Sequence, residues 1–166
     1  DLPDDIAHYA QMDVTEIKHA LAANIGTGIL AKLWDARGDQ DEESWYQRED
    51  VGKAYILDLA TWHMSGGGAP LAYASQLKGK RVLDYGAGIG TFALAAARAG
   101  ADVVTYEPNT ALRDLMIYRA NAHGLALCEL DPDDPIEGKF DAIVCWHVFE
   151  HVENPVELLD KLMDLL

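Results

Sequence analysis

Apolar positions recur at helical spacing through the first half of the chain. Val14, Ile17 and Leu21 share one helical face, as do Ile29 or Leu30 with Leu33 and Trp34, and again Tyr55, Leu59 and Trp62. A polar, acidic stretch over 38–43 interrupts this pattern. So does the Ser-Gly-Gly-Gly-Ala-Pro run over 65–70, which is followed by a short helix at about 70–77. The first half therefore predicts three or four helices. From Lys80 the pattern becomes strand and helix in alternation. Strands are predicted over 81–85, 103–106, 125–130 (weak) and 141–145. Helices are predicted over 91–99, closed by Gly100, over 109–123, closed by Gly124, and over 155–166, with Leu158, Leu159, Leu162 and Leu165 on the apolar side. Repeated β-α units imply an α/β fold with a parallel sheet of about four strands and right-handed crossovers.

Composition narrows the class of partner. The 166 residues are 49% hydrophobic, enough for a real core, and carry a net charge of −15. Nucleic-acid affinity comes mostly from Lys and Arg neutralising phosphates, so this chain is not expected to bind polyanions. Cys128 and Cys145 lie in or beside apolar runs and read as buried thiols. No apolar run reaches membrane-spanning length and no signal-peptide pattern is visible, so no membrane partner and a cytoplasmic location are expected.

The richest segment is Val82-Leu83-Asp84-Tyr85-Gly86-Ala87-Gly88-Ile89-Gly90-Thr91. A buried strand runs into a glycine turn and then a helix, which lets backbone N–H groups approach a ligand closely. Asp84 stands at the C-terminal end of its strand, where open α/β sheets bind ligands. A negative charge there suits a cationic amino group better than a phosphate. Glu107 ends the second strand, where a carboxylate accepts hydrogen bonds from ribose hydroxyls. That geometry serves any nucleoside-containing cofactor. A third segment runs Phe140-Asp141-Ala142-Ile143-Val144-Cys145-Trp146-His147-Val148-Phe149-Glu150-His151-Val152. It contains H-x-x-E-H, an inverted zinc-protease pattern. No further His or Cys follows it, so no metal site is expected.

These three segments, in this order, resemble the class I S-adenosylmethionine-dependent methyltransferases of small-molecule type over roughly residues 80–166. The resemblance implies a Rossmann-like domain over 79–166 and a helical lid or cap over 1–78. Asp84 would meet the methionine amino group, and Gly86, Ala87, Gly88 and Gly90 would let S-adenosylmethionine, or its product S-adenosylhomocysteine, pass close to the backbone. Glu107 would hold the ribose, with Pro108 and Asn109 beside it. Asp131 would meet the adenine, unless it belongs to an acidic turn. Cys145 and Tyr46 join the cofactor-binding set, Tyr46 from the lid. His147 is the expected base, with His63 behind it.

The implied acceptor is a small molecule, methylated through oxygen. Two other functions stay open: a non-catalytic cofactor-binding module and an NAD-dependent oxidoreductase. The family's sheet has seven strands and four are counted here. This leaves three expectations: a shortened chain, a homodimer or second segment completing the sheet, or a minimal domain.

Overall fold

The computed structural model describes residues 1–66 and 71–166, and of Glu43 the backbone alone. Before the first strand it places α1 (Leu2–Ala10), α2 (Val14–Ala22), α3 (Ile25–Asp35), α4 (Glu42–Tyr46), α5 (Glu49–Met64) and α6 (Leu71–Ala74), then a 3-10 turn at Ser75–Leu77. That is more than the three or four helices expected. The unforeseen α1 is short and interleaves acids with its few apolar positions, and α4 spans barely more than one turn. Local capping starts the first two of these helices. Asp1 accepts from the Asp4 amide at 3.1 Å ahead of α1, and Asp13 accepts from the Thr15 amide at 2.7 Å ahead of α2. The break expected over 65–70 falls in part on residues 67–70, outside the described residues.

Strands β1 (Arg81–Tyr85), β2 (Asp102–Tyr106), β3 (Cys128–Glu129) and β4 (Ala142–Val144) pair in parallel in the order β3-β2-β1-β4. Helices α7 (Thr91–Ala99) and α8 (Thr110–Ala122) follow β1 and β2, and α9 (Pro155–Met163) follows β4 after a 3-10 turn at Phe149–His151. β1 is therefore flanked by β2 on one side and β4 on the other. The chain order reverses between β1 and β4, and a crevice opens at their C-terminal ends. The weak third strand shrinks to two residues. Cys128 and Glu129 are both exposed, so backbone pairing with Val104 and Thr105 and the Glu129–Arg113 ion pair at 2.9 Å hold the strand in place of apolar burial. Cys128 is thus a surface thiol, contrary to expectation, and Cys145 is partly buried.

Successive strand residues point to opposite faces. Val82 and Val103 pack under α7 with Phe92 and Ala96, whereas Leu83 and Val104 pack with Phe140 and Leu162 of α9. Leu158 of α9 and Leu165, just beyond its end, join that cluster but Leu159 stays exposed, which corrects its assignment to the apolar side. A third cluster joins the N-terminal helices to the sheet domain: Ile6, Ile17, Leu21 and Ile56 pack around Ile89 and Leu115.

Gly90 starts α7 at φ +74°, and a Cβ there would lie 2.4 Å from Met116 Cγ and 2.9 Å from Leu94 Cδ1. Left-handed strain and overpacking together give Gly90→Ala an expected loss of about 3 kcal/mol in urea unfolding. Gly124→Ala is the control. Its φ of +62° is equally left-handed, but a Cβ would meet nothing within 4 Å. Its loss should stop at about 1–2 kcal/mol. Equal losses would rule out the packing contribution.

Candidate functional site

The turn after β1 is built to face the crevice. The amides of Gly86 and Ala87 donate to the Tyr106 carbonyl at 2.8 and 3.1 Å, which ties the turn to the end of β2. Gly86 sits at φ +75°, and a Cβ there would lie 2.4 Å from Val148 Cγ2. The segment after β4 therefore packs directly on the glycine turn. Between them and the N-terminal helices lies a cavity of about 270 Å³.

Asp84 is 4% exposed and lines this cavity. Its Oδ2 is buried and has no hydrogen-bond partner among the described residues. Burial, aided by the nearby Glu107, pushes its carboxyl up to about 7. Glu107 is also buried and is likewise pushed up to about 7 by burial, against the pull of the Asn109 and Gly88 amides. Its Oε2 accepts from Gly88 N–H at 2.7 Å and its Oε1 from Asn109 N–H at 2.9 Å. Each of those oxygens keeps a second lone pair. A buried acid with one unpartnered oxygen beside a second buried acid is costly unless a cationic, hydroxyl-bearing group completes it.

The remaining sequence-predicted residues separate. Gly86, Ala87, Gly88, Glu107, Pro108, Asn109, Tyr46, His63 and His147 line the cavity with Asp84, whereas Gly90, Asp131 and Cys145 do not. Asn109 is occupied locally. Its Oδ1 caps α8 through the Ala111 and Leu112 amides, and its Nδ2 donates to the Tyr46 and Arg48 carbonyls of the helical region. Gly52 makes room for it, since a Cβ at that position would overlap the Asn109 side chain. The Asp131 carboxylate accepts from the Asp133 amide at 3.0 Å, the acidic-turn alternative. Cys145 packs with Leu83 and Phe140 away from the cavity, and burial pushes its thiol up to about 12.

The helical region supplies the cavity's other wall. Tyr46 contacts Tyr55 at 5.7 Å and His151 at 4.6 Å between ring centroids, and burial pushes its phenol up to about 12. His63 Nδ1 lies 2.8 Å from Thr91 Oγ1 at the start of α7, and burial holds the imidazole down at about 4. Trp45, by contrast, is core: it is buried, and its indole N–H donates to the Leu33 carbonyl at 3.2 Å.

His147 is one of three described non-glycine residues with positive φ, at +55°. Such a conformation persists only where the surroundings impose it. Its Nδ1 lies 2.8 Å from Glu150 Oε1, and its ring meets the edge of Trp62 at 4.6 Å. His151 instead pairs with Glu42 at 3.0 Å, so the two histidines of H-x-x-E-H have different partners. Glu150 is not among the sequence-predicted site residues, though its i+3 spacing from His147 is a legible signal.

A parallel sheet with an acid-preceded glycine turn at its switch point, and a second acid one β-α unit later, defines the class I S-adenosylmethionine-dependent methyltransferase fold. Comparison agrees: residues 59–166 match the family described as "Methyltransferase domain", and the chain belongs to that family. It is 36% identical over 143 residues to a ubiquinone biosynthesis O-methyltransferase of Xylella fastidiosa (strain M23), covering 73% of this chain and 56% of that one. A protein of the same name from Methylocella silvestris is 33% identical over 135 residues, covering 70% and 52%. Among solved structures, the magnesium protoporphyrin IX methyltransferase of Synechocystis PCC 6803 superposes with a TM-score of 0.62 at 19% identity, covering 77% of this chain and 73% of that one. A methyltransferase from Thiobacillus denitrificans gives 0.51 at 24%, covering 59% and 44%. These two show the shared fold. The chain spans about half the length of the curated relatives it matches, between 38% and 56%. Among the described residues, no helix is long and apolar enough to cross a membrane.

Proposed function

We propose that this chain binds S-adenosylmethionine and carries the catalytic part of a methyltransferase acting on an oxygen of a small-molecule acceptor. The observation that carries this is the buried, unpartnered Oδ2 of Asp84 at the mouth of the glycine turn. Cofactor and residues fit. An ammonium group would satisfy Asp84, and a ribose diol would use the remaining lone pairs of Glu107. Gly86 and Gly88 leave the backbone open, Pro108 borders the ribose side, and Tyr46 closes the cavity from the helical region. Relatives named as O-methyltransferases support oxygen as the acceptor atom.

When bound, the cofactor supplies a methyl group on a sulfonium that departs as a neutral thioether. His147 takes the proton of the acceptor hydroxyl at Nε2, because Nδ1 is engaged by Glu150. His63 is the weaker base. Its Nδ1 is held by Thr91, and burial disfavours its protonated form. Alignment in a walled cavity supplies the larger share of the rate, roughly 7–11 kcal/mol against about 3–5 kcal/mol for a base.

Titration calorimetry with S-adenosylmethionine and with NAD, followed by transfer of labelled methyl groups to phenolic and other hydroxylated small molecules, tests this function. NAD binding without S-adenosylmethionine binding would overturn it. Tight cofactor binding with no transfer to any acceptor would favour the non-catalytic module. A pH dependence is also expected. Asp84 must be ionised to hold an ammonium, and its carboxyl titrates at about 7. Affinity should therefore fall as pH drops below 7, by up to about tenfold per unit. Calorimetry across that range checks this, and an affinity constant down to about pH 5 would exclude the ion pair.

A further inference from the structure

The glycine turn is held from behind as well as from the cavity side. Asp5 of α1 and Arg119 of α8 are each 7% exposed, far apart in sequence, and paired at 3.1 Å through Arg119 Nε. Arg119 Nη1 donates to the carbonyl of Ile89, the residue between Gly88 and Gly90. His123 Nε2 lies 3.1 Å from the Asp5 carboxylate on its outer side. The Ile89 side chain is fully buried among Ile6, Ala7 and Ile17 of the first two helices. The first helix thus reaches the turn by two routes, one apolar and one charged. Neither Asp5 nor Arg119 lines the cavity.

A buried guanidinium with one carboxylate partner is strongly held in place, because removing that partner leaves an uncompensated charge. Holding the Ile89 carbonyl away from the cavity fixes the peptide that joins Ile89 to Gly90, whose amide closes the turn on the Ala87 carbonyl at 2.9 Å. The neighbouring Gly88 amide is the one that donates to Glu107. The orientation of the turn and the placement of Glu107 are therefore linked to the Asp5–Arg119 pair through bonds that can be followed one by one.

We propose that Asp5 and Arg119 form a positioning clamp through which the N-terminal helix α1 sets the affinity of the glycine turn for its cofactor. This rests on the assignment of that turn as the S-adenosylmethionine cradle. The helical region is then a working part of the cofactor site, and α1 and the cofactor stabilise one another reciprocally.

The test measures S-adenosylmethionine affinity by calorimetry on the whole chain for wild type, Asp5→Asn, Arg119→Lys and His123→Gln. Asp5→Asn and Arg119→Lys should each weaken binding about tenfold, with kcat at saturating cofactor held within about twofold. His123→Gln, which removes only the outer partner, should change affinity less than about threefold. A purely structural pair gives another pattern: Asp5→Asn lowers the melting temperature and leaves affinity within about twofold, which overturns the clamp. Hydrogen exchange on the wild type decides the matter if the variants do not fold. Adding S-adenosylhomocysteine should slow exchange in α1, and no change there would overturn the clamp. Failure of the wild type to bind either ligand would instead overturn the cradle assignment, and the clamp with it.

Discussion

Asp84→Asn is expected to weaken S-adenosylmethionine binding by roughly 100–5,000-fold while making the free protein more resistant to heat. Both effects come from one buried oxygen. Removing one partner of a buried ion pair costs about 3–5 kcal/mol, which is a factor of this size in the dissociation constant. In the free protein the same carboxylate has no partner on Oδ2 and is a liability. The sign of the stability effect follows from linkage. The folded-state carboxyl titrates at about 7, above its ordinary value of 3.8, so the folded chain binds that proton more tightly than the unfolded chain. Stability of the free protein therefore falls as pH rises from about 4 to about 7, and Asn removes that loss. The gain in melting temperature should be largest at about pH 8 and vanish towards about pH 4. Calorimetry and thermal melting at both pH values check the two halves. Unchanged cofactor affinity would remove Asp84 from the site. A destabilised free protein at high pH would show that the acid serves the fold instead.

His147→Gln should lower kcat by about 100- to 10,000-fold and leave the cofactor dissociation constant within about twofold. The split matters because the His147 ring engages Glu150 and Trp62 and makes no hydrogen bond to Asp84 or Glu107 among the described residues. Glu150→Gln should produce a smaller loss of kcat. The amide still accepts from Nδ1, but it no longer stabilises the imidazolium that forms as the proton arrives. Single-turnover methyl transfer measures these rates. A His147→Gln enzyme with wild-type kcat would mean that alignment alone drives the reaction, or that His63 receives the proton despite its burial.

The parts of this protein that follow from local rules were legible in the sequence. Strand β1, the glycine turn, α7 closed by Gly100, and α8 capped at Asn109 all lie where hydrophobic period and turn chemistry put them. The matching placement of Asp84 and Glu107 followed from their positions at strand ends. Expectation was less successful where local signal is weak. The third strand is only two residues long because neither residue is buried, and Leu159 is exposed although it sits at helical spacing with Leu158 and Leu162.

Asn109 shows the boundary most clearly. Its place at a helix start could be read from spacing. Its second task, binding the Tyr46 and Arg48 carbonyls, depends on a segment about sixty positions earlier. The sequence by itself determined the glycine turn after β1 and the strand-end positions of Asp84 and Glu107, because backbone geometry converts short-range pattern directly into turns, caps and faces. Only the tertiary structure decided that Oδ2 of Asp84 is left without a partner among the described residues, that Arg119 is buried against Asp5 behind the glycine turn, and that His147 is set between Glu150 and Trp62. Burial and charge pairing are properties of packed neighbours, and no residue carries them alone.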